Sequence, residues 1–82
     1  MKAIVRVTLK PDVLDPQGKA IQKASVSLGY EAVRSVRQGK FFEVELDARD
    51  VGAAQKLLDE LCKKLLANPV IEDYEILSVD DS

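Results

Sequence analysis

Within 82 residues the spacing of apolar side chains changes from every second residue to every third or fourth and back, twice over. A chain patterned in this way must form a sheet and lay helices across it. Ala3, Val5, Val7 and Leu9 alternate with Ile4, Arg6, Thr8 and Lys10, which predicts a half-buried first strand ended by Pro11. Asp15-Pro16 then reads as an N-cap followed by proline at the first helical position, where its missing N–H costs nothing. Gln17, Ile21, Ala24 and Leu28 recur at helical spacing, and Gly29 is placed as a left-handed C-cap, so a helix is expected from Pro16 to Leu28.

The second half repeats the alternation. Ala32 to Arg37 is a weaker strand, because Val33 and Val36 differ in parity, and Gln38-Gly39 reads as a two-residue hairpin turn with glycine at positive φ. Phe42, Val44 and Leu46 face inward from the next strand, with Phe41, Glu43, Glu45 and Asp47 outward. Asp50 can cap a second helix reaching Leu66, whose stripe is Val51, Ala54, Leu58, Leu61 and Leu65, widened by Leu57 and Cys62. Asn68-Pro69 stops it. The last strand, Val70 to Val79, loses its alternation between Ile76 and Leu77, as a bulge would cause, and Asp80, Asp81 and Ser82 are expected to fray.

The order β-α-β-β-α-β with one central hairpin predicts a single α+β domain over residues 1–82. Its expected fold is the ferredoxin-like antiparallel sheet with two helices on one face. In that topology Lys10 to Gly18, Arg37 to Lys40 and Ala67 to Pro69 gather at one end of the sheet. Core packing explains these segments least, so a functional surface is expected there.

Composition removes several chemistries. The chain has no histidine and one cysteine, Cys62, which excludes a disulfide framework, Cys/His metal sites and histidine-based triads. Cys62 falls on the apolar stripe of the second helix and reads as a buried hydrophobe. No apolar run exceeds three residues, so no bilayer span or signal-peptide core is present, and the chain is read as cytoplasmic. The net charge of −2 offers no basic field for nucleic acid, and Glu43 and Glu45 beside Phe41 argue against base stacking on the sheet. The halves nonetheless differ. Residues 1–40 carry eight Lys/Arg and three Asp/Glu, residues 41–82 four and eleven, an asymmetry that points to a partner or to self-association.

Lys10 to Gly18 opens a helix but carries Asp15, which repels an anion, so it reads chiefly as a capped entry on which Val13 and Leu14 pack down. Gly18 implies a close approach in the first turn. Arg37 and Lys40 flank the Gln38-Gly39 tip, and Glu72, Asp73 and Glu75 form a charged edge. No acid/base pair stands out. A chain this short buries only about 60% of its unfolded surface, so association through the uncovered sheet face, at Ile4 and Phe41, is expected to add stability.

Three stretches carry a family likeness: Val7 to Gly18, Val36-Arg37 with Gly39-Lys40, and Leu65 to Tyr74. With them the whole chain resembles the PurS family, the small subunits of bacterial phosphoribosylformylglycinamidine synthase. The resemblance implies a non-catalytic subunit of a complex performing an ATP-dependent amidation in de novo purine synthesis. PurL, the synthase subunit, uses ATP and Mg²⁺, and PurQ, the glutaminase, supplies ammonia. The chain would carry no cofactor of its own, form a homodimer or dimer of dimers, and bridge the two catalytic subunits. Lys10, Asp15, Pro16, Gln17, Gly18, Arg37, Gly39, Lys40, Asn68 and Pro69 match family motif positions and are the expected partner interface. Two rivals share the element order. An ACT-like small-molecule module would have a more glycine-rich first loop, and an acylphosphatase would have an arginine in it.

Overall fold

The structure, a computed structural model, describes residues 1–80. Three strands form one antiparallel sheet: β1 (Lys2–Leu9) lies between β2 (Gly39–Glu45) and β3 (Glu72–Asp80). Ala3, Val5 and Val7 are fully buried, as the alternation requires. Ala3 opposes Val44 and Val79, while Val5 opposes Phe42 and Ile76, so the inward face is apolar across all three strands. The register of β3 slips opposite Ile4/Val5, which places the expected bulge at Leu77. Asp80 pairs with Lys2, so β3 runs one residue past its expected end, while Asp81 and Ser82 lie outside the described residues.

Helix α1 spans Pro16–Ser27 and α2 spans Val51–Leu61. Asp15 and Asp50 cap them, each carboxylate accepting the N–H of the third residue onward, and Gly29 closes α1 at φ 101°. Leu58 on α2 and Cys62 just beyond it are buried in one cluster with Ala3, Val5 and Val7 of β1, with Tyr74, Ile76 and Val79 of β3 packed against it, and Ala54 is buried as well.

Two departures from expectation matter. Residues 32–37 form no ladder, so the sheet has three strands and the Gln38-Gly39 hairpin is not closed. Gly39 has no positive φ. It is small because a Cβ there would come within 2.7 Å of the Val7 carbonyl and 2.8 Å of the Thr8 methyl. Second, α1 makes no substantial contact with the sheet or with α2, and only Gly18 in it is buried. Just one helix therefore covers the sheet in this chain.

Helix α2 also does not continue as a uniform helix. Cys62–Leu66 is a π-helical turn, with the Ala67 N–H donating to the Cys62 carbonyl at 2.9 Å. The wider turn rotates the apolar stripe, so Ala67 is buried and Leu66 half-buried, while Leu65, expected on the stripe, is 73% exposed.

Candidate functional site at the loop end of the sheet

The register puts the end of β1 and the starts of β2 and β3 together: Thr8 opposes Gly39, and Leu9 opposes Glu72. The three connections expected to cluster therefore do so, and the Lys10 N–H donates to the Ile71 carbonyl at 2.8 Å.

Asp15 organises this end. One carboxylate oxygen accepts the Gly18 N–H at 2.9 Å, and the other accepts the Gln38 N–H at 2.8 Å. The Gly18 bond chiefly, then Gln38 and the nearby Arg37 charge, hold its carboxyl below the ordinary Asp range. The close approach expected at Gly18 is supplied by the chain itself, since a Cβ there would overlap the Val36 carbonyl oxygen. Arg37 donates from Nη2 to the carbonyls of Leu9 (3.1 Å) and Lys10 (2.9 Å), so its guanidinium is turned inward and ties this segment to β1.

The remaining cations are paired. Lys10 Nζ lies 2.7 Å from Asp73 and Lys40 Nζ 3.3 Å from Glu72, whose side chain is nearly buried. Asn68 is a turn residue: its N–H donates to Glu72 Oε1, its Oδ1 accepts the Val70 N–H, and its carbonyl accepts from Ile71 and Glu72. Of the predicted interface, Asp15, Gly18, Arg37, Gly39 and Asn68 thus shape this end. Pro16, Gln17 and Pro69 are exposed on it.

The apolar residues here are more exposed than the sequence reading expected. Leu14 is 71% exposed, Leu65 73% and Val70 79%, so Leu14 does not pack down as expected. The sequence places Leu65 on the stripe of the second helix and Val70 in the last strand, and both lie instead in or beyond the π-helical turn, outside β3. An open groove of about 500 Å³ at this end is lined by Lys10, Lys63, Ala67, Pro69, Glu72, Asp73 and Tyr74. The Tyr74 hydroxyl donates to Asp59 Oδ1, and Lys63 pairs with the same carboxylate at 3.1 Å. These bonds lower the Asp59 carboxyl and push the Tyr74 hydroxyl up to about 12.

On the outer sheet face Phe41 is 63% exposed and Ile4 half-buried, and ion pairs lace the residues around them: Arg6–Glu75 at 2.8 Å and Lys2–Glu43 at 3.6 Å. Cys62 is buried, and burial raises its thiol. Among the described residues no group of three or more Cys, Asp or Glu is placed to hold a metal ion, and no helix is long and apolar enough to cross a membrane.

The chain is thus a small α+β domain whose three connections gather at one end of an antiparallel sheet. Comparison with known proteins identifies which such domain it is. The model of the PurS family, described as phosphoribosylformylglycinamidine (FGAM) synthase, matches residues 2–80, and the chain belongs to that family. It is 50% identical over 70 residues to the PurS subunit of Synechocystis, covering 85% of this chain and 70% of that one. It is 49% identical over 73 residues to the Bacillus subtilis subunit, covering 89% and 86%. The crystal structure of Methanocaldococcus jannaschii PurS, 43% identical, superposes with a TM-score of 0.84 over 92% of this chain and 90% of that one. A chain in the PurLQS structure from Thermotoga maritima, 27% identical, gives 0.84 over 96% and 99%.

Proposed function

We propose that this chain is the small subunit of an FGAM synthase of purine biosynthesis and that it bridges the synthase subunit PurL and the glutaminase PurQ. The observation that carries the reading is the match along almost its full length to a chain of a PurLQS structure. The reaction converts formylglycinamide ribonucleotide, glutamine, ATP and water into the amidine, glutamate, ADP and phosphate. ATP and Mg²⁺ act on the large subunit, and this chain contributes no reacting group. Its work is to dock the glutaminase where released ammonia reaches the activated amide before water dilutes it. An ACT-like ligand-binding role is not favoured, because family model and solved structures alike are PurS.

The loop end of the sheet is the docking surface in this reading. Asp15, Gly18, Arg37, Gly39 and Asn68 fix its shape. Lys10, Pro16, Gln17, Lys40 and Pro69, with the exposed Leu14, Leu65 and Val70, meet the partners. The chain works in the cytoplasm as a homodimer, or as a dimer of dimers that adds contacts at Ile4 and Phe41.

The test is synthase activity with purified large subunit and glutaminase, with and without this chain. Glutamine-dependent turnover should require it, and ammonia-fed turnover should not. Equal glutamine-dependent turnover without it would refute the bridging role.

A further inference from the structure

We infer, resting on the bridging role proposed above, that α1 and the segment beside it form a cationic groove. It receives a carboxylate-bearing segment of one of the subunits that this chain bridges.

Charge leads there first. Residues 33–38 overhang the sheet, and with α1 they make an arm that stands away from it. Residues 16–38 hold four Lys/Arg (Lys19, Lys23, Arg34 and Arg37) and one acid, Glu31, a balance of +3. The rest of the chain holds eight Lys/Arg and thirteen Asp/Glu, a balance of −5. The cations of the sheet are neutralised where they stand: Lys2, Arg6, Lys10 and Lys40 each lie within 3.6 Å of a carboxylate. Among the described residues Lys19, Lys23 and Arg34 meet none.

Geometry then concentrates that charge. A groove of about 270 Å³ is lined by Lys19 and Gln22 from α1, by Arg34, Ser35 and Arg37 from the overhang, and by Leu14. The acid among its lining residues is Asp15, whose two oxygens already accept the Gly18 and Gln38 N–H groups. Three cations against one carboxylate leave a balance of +2 in a narrow space, where low-dielectric walls focus the field. The walls are tied together. Asp15 joins them at the start of α1, and further along Gln22 Nε2 donates to the Val33 carbonyl at 3.0 Å. Arg37 uses only Nη2 on the Leu9 and Lys10 carbonyls, so the rest of its guanidinium is left to a ligand. The groove is built before its occupant arrives, which lowers the ordering cost of binding.

Three features name the occupant. Two guanidinium groups in one groove suit a carboxylate, which accepts their forked donors in pairs. The volume is below the roughly 300 Å³ at which ligand pockets begin, so the groove fits one or two side chains rather than a nucleotide. The exposed Leu14 adds the apolar contact that a protein segment satisfies and a free anion does not. A second copy of this chain is not placed to fill the groove. Ile21 and Ala24 of the apolar stripe lie roughly 140–160° round the helix from Lys19, so a copy that covers the stripe leaves the cationic side open.

The experiment titrates this chain into purified PurL and PurQ and reads the concentration that half-saturates glutamine-dependent turnover. The variants are Lys19→Glu and Arg34→Glu, with Lys56→Glu on the exposed side of α2 as a control of equal charge change. All three side chains are exposed, and circular dichroism and sedimentation of each variant report its fold and its self-association. Lys19→Glu and Arg34→Glu should each raise the half-saturating concentration about tenfold, and added salt should narrow the gap from wild type. Lys19→Arg, which keeps the charge, and Lys56→Glu should match wild type. If both groove reversals also match it, the groove is refuted and the bridging role stands. If they weaken self-association and the loss of turnover only follows from that, a second copy fills the groove and the inference is overturned. Glutamine-dependent turnover that needs no added chain, wild type included, would overturn the bridging role and the inference with it.

Discussion

The two halves of this sheet are finished to different degrees. On the β1–β3 side, α2 and its π-helical turn press Leu58, Cys62 and Ala67 onto Val5 and Val7, and each of these is at least nine-tenths buried. On the β2 side, Phe42 and Val44 are half-covered, the edge is bare, and α1 points away with its stripe in water. Both helices carry an apolar face, and both are capped by an aspartate at the same position. The difference lies in the links. Asp50 follows β2 by a short connection that returns α2 onto its own sheet, while Asp15, Gly18 and Arg37 lock α1 to a segment that continues straight past the sheet edge. Apolar periodicity states which residues are to be buried, and the connections decide in which chain.

The largest effect should come from the finished half. Leu58→Ala empties space between α2 and β1 and should cost about 3 kcal/mol, read as a lower urea midpoint. If it costs under about 1 kcal/mol, typical of surface positions, the packed half is not the stable one. Next comes the root of the arm. Gly18→Ala drives a methyl into the Val36 carbonyl, so the overhang must shift or α1 must open its first turn. A cost of about 1–3 kcal/mol is expected, with weaker self-association and an intact α2.

Ile21→Ala sharpens the comparison further. On the chain alone Ile21 is nearly half exposed, and its truncation should change stability by less than about 0.5 kcal/mol. Where a second copy covers α1, the cost should rise to about 2 kcal/mol. The expected result is a penalty at high protein concentration that disappears on dilution. A concentration-independent penalty would mean that α1 packs on its own sheet.

Most of this molecule could be read in its residues, and what could not has a common cause. The strands, both aspartate caps, Gly29 at the end of α1, the bulge at Leu77 and the loops gathered at one end follow from local rules of period and turn chemistry. The open hairpin does not, because the apolar period of residues 32–37 is the same whether or not they pair with β2. Gly39 looked like a turn glycine, and its smallness serves instead the close passage of Val7 and Thr8. Leu65 was misplaced because one π-helical turn shifts the helical phase, and an expected period of 3.6 holds no sign of it. At the candidate site Asp15 and Gly18 stood out early. Their target, the segment at Val36 to Gln38 that passes α1, became visible only once the chain had a path.

The smallest effect concerns pH and separates the halves again. Asp15 and Asp59 both have depressed carboxyl values, so each stabilises the fold above its unfolded value near 3.8 and loses that stabilisation as pH falls through its folded one. Acid therefore loosens both halves together. Alkali does not. Tyr74 rises from 10.0 in the unfolded chain to about 12 in the folded one, because its hydroxyl donates to Asp59. Its contribution is complete below pH 10 and is lost as pH climbs toward 12. That bond joins β3 to α2 and touches nothing in the arm. Stability should thus fall more steeply between pH 10 and 12 in wild type than in Tyr74→Phe, and amide exchange in that window should quicken in α2 before α1. Equal slopes for the two proteins would show that the Tyr74–Asp59 bond adds nothing to the finished half, and that packing alone holds it.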